Sequence, residues 1–180
     1  MTIKQRAAYW LKHFKLLRWG LWLGVRLFAP QNHVGAVGAV FNKQGQVLMV
    51  EHVFRPDYAW GLPGGWVERG EDPACAVKRE FKEELNLNVI VKRLLLCKPQ
   101  GGGQTGVIPP GLGLAYYCRL ADDSCSLEEV KNAKNAFEVL SVRWVDPDNI
   151  KWRLPFIQAE AIALGKQEFD KEQKSSSIIR

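Results

Sequence analysis

The chain has 180 residues, of which 47% are hydrophobic, and this content can bury one sizeable core, so we expect one domain with appendages rather than two domains. The formal net charge is +6, but residues 1–33 hold six basic residues and no acid, and the remainder is balanced. The basic excess therefore does not indicate a nucleic-acid surface on the main domain.

Residues 3–28 are predicted to form a helix, because apolar residues recur mostly at spacings of three and four, and Pro30 ends the pattern. We interpret residues 1–33 as a basic amphipathic extension. It could pack on its own domain or on a second copy, lie in a membrane interface, or act as an organelle presequence. A spanning helix is disfavoured, because the apolar stretch Leu16 to Phe28 is short and holds Arg18 and Arg26.

The pattern then changes to strands separated by turns. Asn42 to Gly45 is a good hairpin turn between two β-rich runs. A Gly/Pro-rich loop covers Lys98 to Gly111 and is a candidate lid. Pro155 marks a kink or restart in the closing helix, and a mobile charged tail is expected over residues 165–180. The predicted strands lie within Val34–Phe54, Val89–Cys97, Leu112–Leu120 and Phe137–Val145, and the closing helix covers Asp148–Leu164.

The segment Gly65 to Leu87 predicts a loop followed by a helix. Asp72 is a good N-cap, Pro73 suits the first turn, and Asn86 tolerates the left-handed conformation that ends helices. An apolar stripe at i, i+4 and i+8 faces the core, and it consists of Val77, Phe81 and Leu85.

Three carboxylates lie on a different face of this helix. Glu80 and Glu84 are spaced i, i+4, and Glu83 lies beside them. Clustered carboxylates repel one another unless a counter-charge is present, and a divalent metal is the simplest one. An ordinary acidic surface would be the alternative interpretation for such a helix.

The spacing decides between these interpretations, because the segment resembles the Nudix box, G-x5-E-x7-R-E-U-x-E-E-x-G-U, where U is a bulky residue. The matching positions are Gly65, Glu71, Arg79, Glu80, Phe81, Glu83, Glu84 and Leu87. Asn86 stands where the family has glycine. The resemblance implies a Nudix domain over residues 34–164, with an α+β fold in which a mixed β-sheet is sandwiched between helices.

The resemblance also implies an activity, namely hydrolysis of a diphosphate linked to another group. The expected substrate is a nucleoside diphosphate derivative, such as a nucleotide sugar or an ADP-ribose-like compound, or a nucleoside triphosphate. The expected cofactor is Mg²⁺, with Mn²⁺ as a substitute, because hard cations prefer carboxylate oxygens. The alternatives are a non-catalytic nucleotide-binding or regulatory protein, and a membrane-associated hydrolase of an amphiphilic diphosphate.

Roles follow from the same resemblance. The expected metal ligands are Glu80, Glu83, Glu84 and the Gly65 carbonyl, while Glu71 and Arg79 pair to support the site. The general base stays open: Glu83 and Glu84 are candidates within the box, and Glu138 is a distal one. The weaker candidates for substrate binding are His52, Arg55 and Trp60.

Cysteine spacing gives no zinc pattern. Cys75, Cys97 and Cys118 lie in apolar patterns and are expected to be reduced packing residues, which suits a reducing compartment. We therefore expect a cytoplasmic protein without nucleic-acid partners, with peripheral membrane contact or a homodimer formed through residues 3–28.

Overall fold

The computed structural model describes residues 14–28, 32–53, 58–101, 110–122 and 139–178. The chain forms two compact units, Met1–Asn32 and His33–Arg180. In the first unit, helix α1 spans Lys15–Phe28, and residues 3–13 of the predicted helix lie outside the described ranges. Among the described helices, none combines the length and the apolar character needed to cross a membrane.

Within its described residues, the second unit contains seven strands and two long helices. Strands β1 to β4 precede helix α2, strands β5 to β7 follow it, and a short 3₁₀ turn at Pro147–Asn149 leads to helix α3. The bounds are β1 His33–Val40, β2 Val47–His52, β3 Trp60–Gly61, β4 Gly64–Trp66, α2 Pro73–Leu85, β5 Val89–Gln100, β6 Gly111–Leu120, β7 Val139–Val145 and α3 Phe156–Ile178.

The strands form two sheets, and together with the helices they confirm the α+β class. The first sheet has the order β4-β1-β6-β5 and is mixed, because β1 and β6 run parallel while its other pairs are antiparallel. The second sheet has the order β3-β2-β7 and is antiparallel. The described strands are therefore divided between one mixed and one antiparallel sheet.

The predicted hairpin between the first two strands is only partly correct. The turn is present, since the Gly45 amide donates to the Asn42 carbonyl at 3.0 Å and the Asn42 side chain accepts from the Gln46 amide at 2.9 Å. However, β1 and β2 meet only at the bridge from Phe41 to Val47. Both edges of β1 are already taken by β4 and β6, so β2 pairs in the other sheet.

Two apolar clusters form the core. Helix α2 contributes the predicted stripe to the first cluster, together with buried residues of β1, β2 and β6. Phe81 packs against Gly38 of β1, where an added Cβ would lie 2.7 Å from a Phe81 ring carbon. This close approach holds α2 against the mixed sheet, and α3 belongs to the second cluster.

Helix α3 corrects the prediction for the end of the chain. It begins after Pro155, as a restart, and continues past Gly165 to Ile178, so the expected mobile tail is helical over residues 165–178. Phe169 is buried and stacks on Phe41, with ring centroids 5.8 Å apart. Gly165 also lies against Phe41, and it serves close packing rather than helix termination.

Two smaller predictions also need correction. Strand β5 continues to Gln100, so the Gly/Pro-rich loop begins later than Lys98, and residues 102–109 lie outside the described part of the chain. Cys75 and Cys97 are exposed rather than packed, whereas Cys118 is buried, and burial raises the pKa of its thiol to about 12.

Candidate functional site

Helix α2 is fixed at both ends by the caps that its sequence predicts. The Asp72 side chain accepts a hydrogen bond from the Ala74 amide at 2.7 Å, and Pro73 occupies the first turn. Asn86 adopts the left-handed conformation with φ of 52°, and its amide donates to the Lys82 carbonyl at 3.0 Å. These caps fix where the helix begins and ends, and therefore where its acidic residues lie.

Arg79 and Glu71 form a two-pronged ion pair between the helix and the preceding loop. Arg79 Nε lies 3.0 Å from Glu71 Oε1, and Arg79 Nη2 lies 3.1 Å from Glu71 Oε2. The Glu68 amide also donates to Glu71 at 2.9 Å. The hydrogen bond from Arg79 is the main reason why the pKa of Glu71 is lowered, and the same pairing raises the pKa of Arg79. Both side chains therefore stay charged at neutral pH.

The same guanidinium reaches three further groups. Arg79 Nη1 lies 2.9 Å from Glu80 Oε1 and 3.2 Å from Glu83 Oε2. Arg79 Nη2 donates to the Trp66 carbonyl at 2.9 Å, which ties the helix to the end of β4. Arg79 thus supplies a counter-charge to Glu80 and Glu83 on this acidic face.

The three helix carboxylates differ strongly in exposure. The Glu83 side chain is 61% exposed, whereas the Glu80 side chain is 15% exposed and Glu84 is only 6% exposed. Glu80 lies against Gly65, where an added Cβ would lie 2.6 Å from the Glu80 carboxyl carbon, so a larger residue here would displace the Glu80 carboxylate. The Gly65 backbone therefore lies beside the Glu80 carboxylate, and the metal-ligand role expected for both stays a prediction.

This donor set suits a hard cation, because it consists of carboxylate oxygens and a backbone carbonyl. A buried carboxylate such as Glu84 is costly to charge, and a cation would offset that cost. Within the described ranges, however, no three acidic, histidine or cysteine side chains converge on one point. Glu80 and Glu83 both contact Arg79, so a cation would have to compete with its guanidinium for them.

The structure does not favour the substrate-binding roles that were predicted for His52 and Trp60. His52 is buried at the end of β2, and Trp60 is buried and stacked on Trp152 at 4.6 Å between centroids. A buried ring offers little surface to a base or sugar, so this geometry does not favour the substrate role predicted for either residue. Arg55 and Glu138 lie outside the described residues.

Two contributions to the site were not predicted because they come from the backbone. The Trp66 carbonyl accepts from Arg79, and the Glu68 amide donates to Glu71. Every residue carries a backbone carbonyl and every residue except proline carries a backbone N–H, so residue type gives almost no signal for them. Only the match to the family spacing could have indicated that a loop with ordered backbone groups lies here.

The matches with known proteins agree with this geometry. The NUDIX domain profile matches residues 31–165. The mouse nucleoside diphosphate-linked moiety X motif 6 is 31% identical over 138 residues, covering 72% of this chain and 41% of that protein. An RNA pyrophosphohydrolase of Azorhizobium caulinodans is 34% identical over 59 residues, covering 30% of this chain and 35% of its own length.

A solved structure supports the fold. The crystal structure of an ADP-ribose pyrophosphatase from Streptococcus suis matches with a TM-score of 0.57 and 21% identity, covering 77% of this chain and 92% of that one. An α+β domain in which an arginine joins an acidic helix to the glycine-containing loop before it is typical of the Nudix fold. The chain belongs to the Nudix family. It spans less than half the length of the two curated relatives named above.

Proposed function

We propose that this chain is a divalent-cation-dependent hydrolase that cleaves the diphosphate linkage of a nucleoside diphosphate derivative or of a nucleoside triphosphate. The observation that carries the proposal is the set of three glutamates of the Nudix box on one helix, which the ion pair between Arg79 and Glu71 ties to the preceding loop. The names of the two curated relatives support this class, since one refers to nucleoside diphosphate-linked compounds and the other to a pyrophosphohydrolase.

Mg²⁺, or Mn²⁺ in its place, would be held by Glu80, Glu83, Glu84 and the Gly65 carbonyl, and when bound it would neutralise phosphate charge and lower the pKa of a bound water. The Arg79–Glu71 pair positions these ligands by joining the loop to the helix. Gly65 allows the backbone to approach Glu80.

In the proposed reaction, a water oxygen forms a bond to phosphorus while the bridging P–O bond breaks, and the leaving phosphate or nucleotide keeps the electron pair of that bond. A carboxylate accepts the proton of the attacking water. Glu83 is the base most open to solvent, at 61% exposure, and Glu84 is the buried candidate. Glu138 remains the distal candidate, because it directly precedes β7 in the sequence.

A substrate panel tests this proposal. Purified full-length chain would be assayed with Mg²⁺ and with Mn²⁺ on nucleotide sugars, ADP-ribose, nucleoside triphosphates and lipid-linked diphosphates. RNA with a 5′-triphosphate belongs in the panel because of the name of the bacterial relative, although no nucleic-acid partner was expected. We expect turnover with one substrate class, and we expect a chelator to abolish it.

A non-catalytic nucleotide-binding or regulatory role is the second candidate. It is favoured by two observations: Glu80 and Glu83 both contact Arg79, and the described residues contain no three-ligand cluster. Inactivity across the whole panel, together with calorimetric binding of a nucleotide, would support this role and reject the hydrolase.

We also propose a cytoplasmic location. The N-terminal segment has two candidate partners, a membrane surface and a second copy of the chain. Neither partner is needed for the hydrolysis proposed above.

A further inference from the structure

Helix α1 presents a ridge of large apolar side chains to solvent. Leu16 is 82% exposed, Trp19 is 60% exposed and Leu27 is 66% exposed, and Leu23 is half-buried between them. At 100° per residue these four positions lie within about 80° of arc, and Leu16 and Leu27 are about 16 Å apart along the axis. We call these four residues the α1 ridge. A continuous apolar strip of this length on a water-facing helix indicates an interaction surface.

The charge of the surrounding segment identifies the partner. Residues 1–33 contain six basic residues and no acid, and Lys15 lies exposed at the start of α1. A second copy docked ridge to ridge would bring two such segments together, with no acid in either segment to pair with these charges. An anionic lipid surface supplies the opposite charge and also accepts Trp and Leu at its headgroup boundary.

The length of the helix determines how it would meet the lipid. Helix α1 has 14 residues, which is about 21 Å, while a bilayer core is about 30 Å thick. The helix is therefore suited to lie in the interface plane with its apolar ridge facing the acyl chains. Basic residues near the headgroups would add an attraction that weakens with salt.

We propose that α1 is a membrane-surface anchor that binds anionic phospholipid bilayers through the α1 ridge and the basic residues of segment 1–33. This proposal is independent of the hydrolase proposal, since it uses no residue of the Nudix box. Its consequence is a protein that distributes between solution and anionic bilayers according to lipid charge and ionic strength.

Vesicle flotation of the full-length chain tests the anchor. Vesicles of phosphatidylcholine would be compared with vesicles that also contain phosphatidylglycerol, at low and at high NaCl. We expect the bound fraction to rise about tenfold or more with the anionic lipid and to fall when salt is raised, because each basic residue at such a surface contributes about fivefold in affinity.

The key variant combines Leu16→Ser, Trp19→Ser and Leu27→Ser, and we expect it to lose flotation at an unchanged net charge. The matched control combines Ile90→Ser, Leu94→Ser and Leu140→Ser, which are exposed by 45%, 47% and 54% on strands of the second unit. We expect the control to float like the parent chain. Circular dichroism and thermal melting check that both variants are folded.

Absence of flotation of the parent chain with anionic vesicles would overturn the proposal. Equal flotation of the ridge variant and its control would also overturn it. A parent chain that sediments as a dimer and does not bind vesicles, with the dimer lost in the ridge variant, would assign the ridge to a second copy.

Discussion

At the residue scale, Arg79 is the centre of the candidate site. One guanidinium contacts three carboxylates and the Trp66 carbonyl, with all heavy-atom distances between 2.9 and 3.2 Å. The planar guanidinium donates several hydrogen bonds in fixed directions and so orients carboxylate groups, which a lysine ammonium cannot do. The position of the ligands therefore depends on a residue that we do not expect to touch the reacting atoms.

Replacement of Arg79 by Gln should lower the melting temperature at neutral pH and reduce turnover, because the loop would lose its tie to the helix. The pKa of Glu71 is lowered in the folded state, mainly by Arg79, so the stabilisation is present at neutral pH. It is lost as the pH falls through this lowered pKa.

Melting curves from pH 7 down to pH 3 check this prediction. The difference between parent and variant should be largest at pH 7 and should shrink in acid. Arg69→Gln is the control, since Arg69 is an exposed residue of the same loop. A difference that stays constant across the pH range would contradict the role assigned to the Glu71 pair.

Glu84→Gln should reduce turnover by about a hundredfold or more while leaving the fold intact. The amide keeps the size of the side chain, and removing a charge from this buried position does not weaken packing. The measurements are kcat on the substrate found in the panel and cation uptake by calorimetry. Glu68→Gln, an exposed carboxylate of the preceding loop, is the control. Unchanged turnover and cation uptake in Glu84→Gln would remove Glu84 from the ligand set.

At the element scale, the left-handed end of α2 is the most local feature of the site. Asn86→Ala should lower the free energy of unfolding by about 1 kcal/mol, because alanine is disfavoured at φ of 52°. Asn86→Gly should retain stability or increase it, because glycine adopts this conformation without a Cβ clash. Urea unfolding measures both changes. Asn88→Ala is the control, since Asn88 is exposed and has no positive φ; equal losses at both positions would contradict the argument.

The sequence predicts some elements better than others. What differs is whether the residues that specify an element lie close together in the chain. Helix α2 was predicted within its observed bounds because its caps and apolar stripe are all contained within 15 consecutive residues, Asp72 to Asn86. The pairing of β1 with β6 joins distant segments, and a strand pattern does not specify its partner. The two short strands β3 and β4 are too brief to give any periodicity.

The contacts within the candidate site also differ in how well the sequence predicts them. The pair of Arg79 and Glu71 was expected from the family spacing, and the structure contains it. The contacts of Arg79 with Glu80 and Glu83 were not expected, because a sequence specifies spacing along a helix but not which rotamer a long side chain adopts. Burial of Trp60 against Trp152 depends on a segment that is remote in the chain.

At the scale of the whole molecule, the second half of α3 is part of the core. Phe169 is 4% exposed, and it packs on Phe41 beside the turn that follows β1. Phe169→Ala should therefore lower the free energy of unfolding by about 3 kcal/mol or more. Gln173→Ala, at an exposed position of the same helix, should change it by less than about 0.5 kcal/mol. Chemical denaturation measures both, and a negligible effect of Phe169→Ala would restore the interpretation of residues 165–178 as a tail.

The pairing of strand β1 on both of its edges has a consequence for folding. On one edge of β1, Ala36 pairs with Gly65. On the other edge, His33 pairs with Gly111 and Val40 pairs with Cys118. A parallel pair between such distant segments forms slowly, because a long stretch of chain must be closed before any contact is gained. The backbone beside Glu80 is therefore held by a strand whose opposite edge is completed only by a distant segment of the chain.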